Sequence, residues 1–373
     1  MIGSYRGIRV LVTGHTGFKG AWLASWLLAD GAEVMGLALA PEAGQPNLFD
    51  ALGLATRMGS VMADIRDPQA VRDAVAAFRP QIVFHLAAQA LVRRSYADPL
   101  STFAVNVMGT AHVLEAARSV ESVRAFVCVT SDKCYENREW VWGYRESDPL
   151  GGKDPYSASK AAAEIVAASY RQALVPEGRL RIATARGGNV IGGGDWSQDR
   201  LVPDLVRAIE AEEPLVLRNP GAIRPWQHVL ELVRGYLMLG DRLLAGDDGA
   251  AGSWNFGPAR ESEVAVGRLV EAALGVWGKG RTELRVEPSG LAEAGILKLD
   301  TAKADAQLGW RPVLGFTDSV RLTMDWYRRH SVGAARARDL VDEQIDAYRR
   351  LCESRPDAED NRSLNSFTQA WAL

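Results

Sequence analysis

The chain has 373 residues, 47% of them apolar and 24% charged, with a formal net charge of −3 at pH 7. That length exceeds one typical domain and the mix is that of a soluble globular protein, so a broadly basic nucleic-acid binder is excluded. The longest uncharged stretch, Pro99–Leu114, contains Pro, Asn and His and is too short and polar to span a bilayer, so no membrane partner is expected. Cys128, Cys134 and Cys352 show no CxxC spacing. This argues against a disulfide framework or a metal site and for a reducing, cytoplasmic setting; Met1–Ile8 carry no signal-peptide pattern.

Apolar runs of strand length follow in order at Arg9–Thr13, Glu33–Ala38, Gln81–His85 and Ala125–Thr130. They are β-branched or aliphatic without polar alternation, which suits a parallel sheet covered on both faces. Between them lie the helix-like segments Phe18–Ala29, Pro68–Phe78 and Pro99–Ser119, two of them opened by proline. A helix from Tyr156 to about Ala173 and a strand Arg181–Ala185 continue the rhythm, which predicts an α/β fold with a doubly wound parallel sheet over residues 1–186. The rhythm breaks at Gly187–Pro203, rich in Gly, Asp and Trp. Residues 187–330, with the strand-like run Pro214–Leu217, are expected to form a smaller, mostly helical substrate lobe over the strand ends, some late strands returning to the main sheet. Residues 331–373 read as a C-terminal helix and a tail that is polar from Ser354 onward.

Gly14-His15-Thr16-Gly17-Phe18-Lys19-Gly20 joins the first strand to the first helix with G-x-x-G-x-x-G spacing. Glycines let the backbone turn sharply against a pyrophosphate, and the free N–H groups of the helix N-terminus receive its charge. A glycine-rich turn without a ligand has the same spacing; the strand before, the helix after and the continuing βαβ rhythm favour a dinucleotide in a Rossmann-type sheet. Gly14, Thr16, Gly17, Phe18, Lys19 and Gly20 are therefore candidate cofactor contacts. The carboxylate expected for the ribose at the end of the second strand is missing from Leu37-Ala38-Leu39-Ala40-Pro41, and so is an arginine for a 2′-phosphate. Lys19 and His15 add positive charge to the turn, so these residues leave NAD and NADP both open. Asp64-Ile65, after the third strand, is placed to reach the adenine amino group; the plainer alternative is a helix N-cap region before Asp67-Pro68.

Tyr156-Ser157-Ala158-Ser159-Lys160 opens a helix and sets tyrosine and lysine on one face. A lysine cation beside a phenol lowers its pKa, so the tyrosine can serve as a base near neutral pH. YxxxK is common by chance, and gains weight here from the dinucleotide turn and from the strand that ends in Thr130-Ser131. These motifs fall in order with His85-Leu86-Ala87-Ala88, Asn106 and Leu299-Asp300-Thr301-Ala302-Lys303-Ala304 followed by Leu308-Gly309-Trp310. Over residues 7–330 the chain resembles the extended short-chain dehydrogenase/reductase family. The resemblance implies NAD as cofactor, with Leu86, Ala87, Ala88 and Thr130 lining it. It implies that Asn106 supports Lys160 and that Ser131 hydrogen-bonds the hydroxyl being oxidised. It also implies a homodimer, through the alanine-rich helices Pro99–Ser119 and Tyr156–Ala173.

The string Thr130-Ser131-Asp132-Lys133-Cys134-Tyr135 bears on the reaction. Epimerases of the family need only the Ser/Thr, Tyr and Lys. Its sugar-nucleotide 4,6-dehydratases add an aspartate and usually a glutamate; here Lys133 follows Asp132. With Trp140–Glu146, Gly192–Trp196 and Ile223–Val229, this variant resembles a dehydratase whose substrate is CDP-glucose or a related sugar nucleotide. A solvated charge pair is the plain reading of Asp132-Lys133, and their place beside Ser131 favours function. Tyr156 would take the 4-OH proton as hydride leaves C4; water is then eliminated across C5 and C6, and hydride returns to C6. Asp132 suits the acid for the 6-OH if burial raises its pKa. Lys133 is either the C5 base or an electrostatic stabiliser of the enolate, and the neighbouring Asp132 works against a neutral lysine.

Asn189 suits a nucleoside diphosphate, and Arg200, Arg218 and Arg224 are candidates to clamp its phosphates. For Arg200 and Arg218 a surface-charge role is an equal reading. By resemblance Asn189, Arg224 and Asn255 touch nucleotide or diphosphate; Gln89 and Arg93, after the fourth strand, are placed for the hexose. Cytosine recognition rests on the resemblance. His228 reads as a packing or substrate-edge residue, and His112 and His330 as structural or solvated. The alternatives are a dehydratase or epimerase acting on a dTDP-, UDP- or GDP-hexose, and a non-catalytic dinucleotide-sensing regulator. Asp132 argues against the epimerase, Lys133 against the commoner dehydratase, and the intact Ser131, Tyr156 and Lys160 against the sensor.

Overall fold

The computed structural model describes residues 5–176, 178–285 and 296–354, so the polar tail expected after Ser354 lies outside the described residues. Strands β1 (Arg9–Thr13), β2 (Glu33–Ala38), β3 (Gly59–Met62), β4 (Ile82–His85), β5 (Ala125–Val129), β6 (Arg181–Gly187) and β7 (Ser253–Phe256) form one parallel sheet in the order β7-β6-β5-β4-β1-β2-β3. The chain order reverses between β1 and β4, and a crevice opens there outside the carboxyl ends of the strands. Helices α1 (Phe18–Ala29), α2 (Pro68–Phe78), α3 (residues 99–119), α4 (Pro155–Ser169) and α5 (Val229–Leu244) cover the two faces, and α6 (Phe316–Ser331) and α7 (Ala337–Ser354) follow.

The unalternated strands are explained by two apolar layers. Val10 and Val12 of β1 meet Trp22 and Leu23 of α1 and Val233 and Leu237 of α5 on one face. Leu11, between them, meets Val71 and Val75 of α2 and Val113 of α3 on the other. Each such side chain contributes roughly 1.5–3 kcal/mol by leaving water. The Rossmann-type doubly wound sheet is therefore as expected.

The later chain is mostly helical, as expected, and returns one strand to the main sheet. α5 lies on the main sheet, and β7 joins that sheet beside β6. What remains holds the helices Leu201–Glu210 and Val266–Trp277 beside three short strand pairs: Val190–Ile191 with Gln227–His228, Ile223–Pro225 with Glu263–Ala265, and Leu215–Leu217 with Thr282–Leu284. The fully buried Glu231 of α5 ties the C-terminal segment down, accepting from Val313 N (2.7 Å), Leu314 N (2.5 Å) and the Tyr348 hydroxyl (2.7 Å). α3 is not one regular helix either. Between Pro99–Phe103 and Thr110–Ser119 it widens into a π-helical stretch, Ala104–Gly109, which carries Asn106.

Candidate active site

The glycine turn is held by contacts that leave no room for side chains. Gly14 has φ +77°, and a Cβ on it would lie 2.7 Å from Ala87 N; a Cβ on Gly20 would lie 2.1 Å from the Gly14 carbonyl oxygen. Gly14 N donates to Leu37 O (2.9 Å), Leu86 N to Thr13 O (3.1 Å) and Ala87 N to Thr13 Oγ1 (3.2 Å), so the ends of β1, β2 and β4 are laced together. Thr16 Oγ1 donates to Leu39 O (3.0 Å). Gly17 is the N-cap of α1, and no side chain caps that helix. A twelve-residue helix with an uncapped N-terminus above a glycine cradle fits a dinucleotide diphosphate. Leu86, Ala87 and Ala88 leave β4 along this crevice. Phe18 packs toward the later chain, where a Cβ on Gly192 would lie 3.0 Å from its ring.

Two expectations about this turn are corrected. His15 is buried against the Phe49 ring edge (5.1 Å) and its Nε2 pairs with Ser60 Oγ (2.6 Å). Burial lowers its pKa to about 4, so it adds no positive charge near neutral pH. Lys19 is half-buried; burial first, then Lys160 and Arg200, lower it to about 7. At the far rim Asp64 is gripped by Arg66, through the main-chain N (2.8 Å) and the guanidinium (2.6 Å), and that grip holds its carboxyl below the ordinary range. Asp67, not Asp64, caps α2. Ile65 is a core wedge: a Cβ on Gly109 would lie 2.5 Å from its Cδ1, and its carbonyl meets His112 Nδ1 at 3.0 Å.

The chemistry-bearing groups gather at the carboxyl end of β5. Asp154 caps α4, which puts Tyr156, Lys160 and Glu164 on successive turns of one face. Ser131 caps the single turn Asp132–Cys134 through Lys133 N (3.2 Å), and its Oγ donates to Asp132 Oδ1 (3.0 Å). It also faces the Tyr156 phenol, whose pKa it draws down. Asp132 is 4% exposed. Burial raises its pKa against the pull of Lys133, Ser131 and Arg224, the condition an acid catalyst needs. Lys133 stands half-buried in the same turn. A Cβ on Gly188 would lie 3.0 Å from Asp132 Oδ2, so the turn that carries Asn189 closes against the carboxyl. Arg200 pairs with the buried Asp195 (3.1 Å) and its field reaches Tyr156 and Lys19.

The phenol does not stand below its ordinary value, as the lysine was expected to make it. Burial raises Tyr156 to about 12; Ser131 and Arg200 oppose the rise and Asp132 adds to it. Burial also lowers Lys160, whose Nζ donates to Val129 O at 3.4 Å.

Several candidate contacts are already occupied by the protein. Asn255 is fully buried; it accepts from the Tyr135 hydroxyl (2.7 Å) and donates to the carbonyls of Tyr144 (2.8 Å) and Asp300 (3.0 Å), so it is a structural post and not a nucleotide contact. Asn106 accepts from Gln89 N (2.8 Å) and donates to Gln89 O (3.0 Å) and Ser159 Oγ (2.8 Å). It therefore pins the loop after β4 to α4, its amide spent on Gln89 and Ser159 and not on Lys160 Nζ. The Gln89 side chain is taken up by Leu91 and Thr102, not left for a hexose. Thr130 Oγ1 donates to Glu164 (2.5 Å), so only the main chain of Thr130 is left to line the crevice. Arg93 pairs with Asp199 (3.2 Å) at the exposed rim. Arg224 acts on Asp132, whereas exposed Arg218 acts on Asp204 instead. His228 is buried, caps α5 and has its pKa lowered to about 3 by burial. Cys128 and Cys134 are buried thiols whose pKa values burial raises. Sequence reasoning missed Glu164, Arg186, Tyr135 and Asp195; the one available signal was Glu164, four residues past Lys160 on the same face.

A glycine cradle beside a tyrosine, a lysine and a serine defines a dinucleotide-dependent oxidoreductase site, and Asp132 adds an acid to it. A family described as GDP-mannose 4,6 dehydratase matches residues 11–323. The chain is 47% identical over 330 residues to a CDP-glucose 4,6-dehydratase of Salmonella typhimurium, covering 87% of this chain and 91% of that one. Its fold is similar to a dTDP-glucose 4,6-dehydratase from Streptomyces venezuelae solved with NAD (27% identity, TM-score 0.75, covering 87% and 98%). It is also similar to a UDP-glucose 4-epimerase from Thermus thermophilus in complex with NAD (28% identity, TM-score 0.74, covering 86% and 99%). The chain belongs to this family, the sugar-nucleotide 4,6-dehydratases of the extended short-chain dehydrogenase/reductase fold.

Gly14→Ala forces a methyl group onto Ala87 N at a positive φ, a conformation that alone costs ~1 kcal/mol. It is expected to lower Tm and to weaken NAD at least ~10-fold in a fluorescence titration; an unchanged Kd contradicts the cradle. For Asp132, the folded chain keeps a proton that the unfolded chain releases above its ordinary value of 3.8, so stability falls as pH rises through that window. Asp132→Asn is therefore expected to melt higher than the parent at pH 7, the difference fading toward pH 3, while kcat falls ~10²–10⁴-fold. A lower Tm at pH 7 contradicts the buried-acid account.

Proposed function

We propose that the protein is an NAD-dependent CDP-glucose 4,6-dehydratase, converting CDP-D-glucose to CDP-4-dehydro-6-deoxy-D-glucose and water. The observation that carries this reading is Asp132, a buried carboxyl with a raised pKa, hydrogen-bonded to Ser131 beside Tyr156. An epimerase has no use for such a group. NAD held by the glycine cradle and the start of α1 would supply, as NAD⁺, the hydride acceptor for C4 and, as NADH, the hydride donor for C6. Tyr156 takes the proton of the 4-OH, Ser131 shares that hydroxyl, and the Lys160 cation supports the phenolate. The resulting 4-ketone acidifies C5–H. The C5–H and C6–O bonds break, C5=C6 forms, and Asp132 gives its proton to the departing 6-OH. Lys133, next in the turn, serves the C5 proton or the charge its removal leaves. After hydride reaches C6, a proton returns to C5.

The diphosphate is assigned to Arg200 and Arg224, with Asn189 in the turn that closes on Asp132; bidentate guanidinium–phosphate pairing favours such a pair. The 47% identity to a CDP-glucose enzyme supports the cytidine base. In a panel of CDP-, dTDP-, UDP- and GDP-glucose with NAD⁺, CDP-glucose alone is expected to give the alkali-induced absorbance of a 4-keto-6-deoxy sugar and the mass loss of water. Turnover of another nucleotide alone contradicts the substrate, and an epimer without loss of water contradicts the reaction.

The protein is further read as a cytoplasmic homodimer. Adjacent helices α3 and α4 present Leu100 (81% exposed), Met108 (52%) and Ile165 (60%), an apolar set that pairing with a second copy would cover. No helix among the described residues is long and apolar enough to cross a membrane. Leu100→Glu/Ile165→Glu is expected to sediment as a monomer where the parent is a dimer; a parent monomer at micromolar concentration contradicts the assignment.

A further inference from the structure

One buried charged group next to the catalytic set has no part in the chemistry above. Glu164 lies one helical turn beyond Lys160, and its side chain is 1% exposed. Four donors converge on its carboxylate: Thr130 Oγ1 (2.5 Å), Thr184 Oγ1 (2.6 Å), Arg186 Nη2 (2.8 Å) and Ser253 Oγ (3.2 Å). Thr130 follows the end of β5, Thr184 and Arg186 lie within β6 and Ser253 opens β7, so one carboxylate ties three strands to the helix of Tyr156 and Lys160. Thr130 meets Oε1 and the other three donors meet Oε2, so both carboxylate oxygens are engaged. Its ion pair is polarised: Arg186 faces away, toward the Tyr135 hydroxyl (2.7 Å), while Glu164 faces Thr130 and Lys160.

We propose that Glu164 is a positioning residue for the dehydration. It fixes the height of the strand end that bears Ser131 and Asp132, and it supplies the negative charge that faces Lys160. This rests on the reading of the site given under Proposed function.

The groups around Lys160 leave that task to Glu164. Cys128 of β5 and Cys134 of the β5 turn face it, and burial holds both thiols protonated. On its own helix stand Tyr156, raised to about 12, and Glu164, held ionised by Arg186, Thr130 and Thr184. From α1 comes Lys19 and from β4 His85, which Lys160 and burial keep neutral, its pKa near 3. Among the described residues that face Lys160, Glu164 is thus the ionised acid. Burial lowers Lys160, and Glu164 opposes that fall. The charge matters because a neutral lysine gives no support to a phenolate.

The test is the pH profile of kcat with CDP-glucose for the parent and for E164Q/R186M, which removes both members of the buried ion pair. Loss of the negative charge makes Lys160 easier to deprotonate and Tyr156 harder. Because Tyr156 stands at about 12 and Lys160 below its ordinary value, the phenolate–ammonium pair is the minor form, so the two limbs are expected to move apart, each by about one pH unit, while the plateau of kcat between them falls ~100-fold. Glu164→Asp keeps the charge and shortens the reach; it is expected to leave the limbs in place while kcat falls. A double variant whose profile matches the parent in shape, scaled only by the folded fraction, overturns the proposal. If the double variant does not fold, Thr130→Val carries the test, because it cuts Glu164 from the strand end and leaves the ion pair intact. Its kcat is expected to fall at least ~10-fold with Tm shifted little, and parental kcat overturns the proposal. Absence of turnover by the parent would instead defeat the dehydratase reading, so the two failures are distinguishable.

Discussion

The close approach of the Gly14 backbone to Ala87 sets the rest of this molecule. No side chain fits between the two, because a Cβ at position 14 would lie 2.7 Å from Ala87 N. That contact brings the ends of β1 and β4 together at the point where the sheet reverses its order. The uncapped start of α1 then faces the same crevice as the loop after β4, and β5 delivers Ser131 and Asp132 one strand further along. A dinucleotide and a sugar hydroxyl can therefore meet over neighbouring strand ends without any long connection.

Within that crevice burial moves each group away from its ordinary proton affinity. The Asp132 carboxyl is pushed up, the Tyr156 phenol up to about 12, Lys160 down, and Lys19 down to about 7. Each shift favours the neutral form, which suits proton transfer and disfavours charge, so the pocket costs stability that the two apolar layers supply. The sheet's core is the rigid part, and the polar groups are its edge.

β1, β2, β4, β5 and β6 were legible as mainly apolar runs without period-two alternation, whereas β3, Gly59–Met62, is exposed at both ends and offered no such run. β7 was not singled out. Its four residues include Asn255, and an amide at a strand end looks like a ligand contact until Tyr135, Tyr144 and Asp300, far away in the chain, are seen to saturate it. Gln89, Asn106 and Thr130 misled for the same reason: residue type shows what a side chain can bind, and only the fold shows what it already binds. The π-helical stretch at Ala104–Gly109 escaped because hydrophobic period registers no single added residue. His15 and Lys19 read as cations because sequence carries no burial. The proposed catalytic group was gathered from short motifs, since Tyr156 and Lys160 share one helix and Ser131, Asp132 and Lys133 are contiguous.

The central claim is that hydrogen removed from C4 is carried to C6 within one closed site. Incubating the protein with CDP-[4-²H]glucose and catalytic NAD⁺, then locating the label by NMR, tests it most directly. The account predicts one deuterium at C6 of the 4-keto-6-deoxy product and a solvent-derived proton at C5. Deuterium lost to water, or still at C4 in a product that has kept its 6-OH, would contradict it.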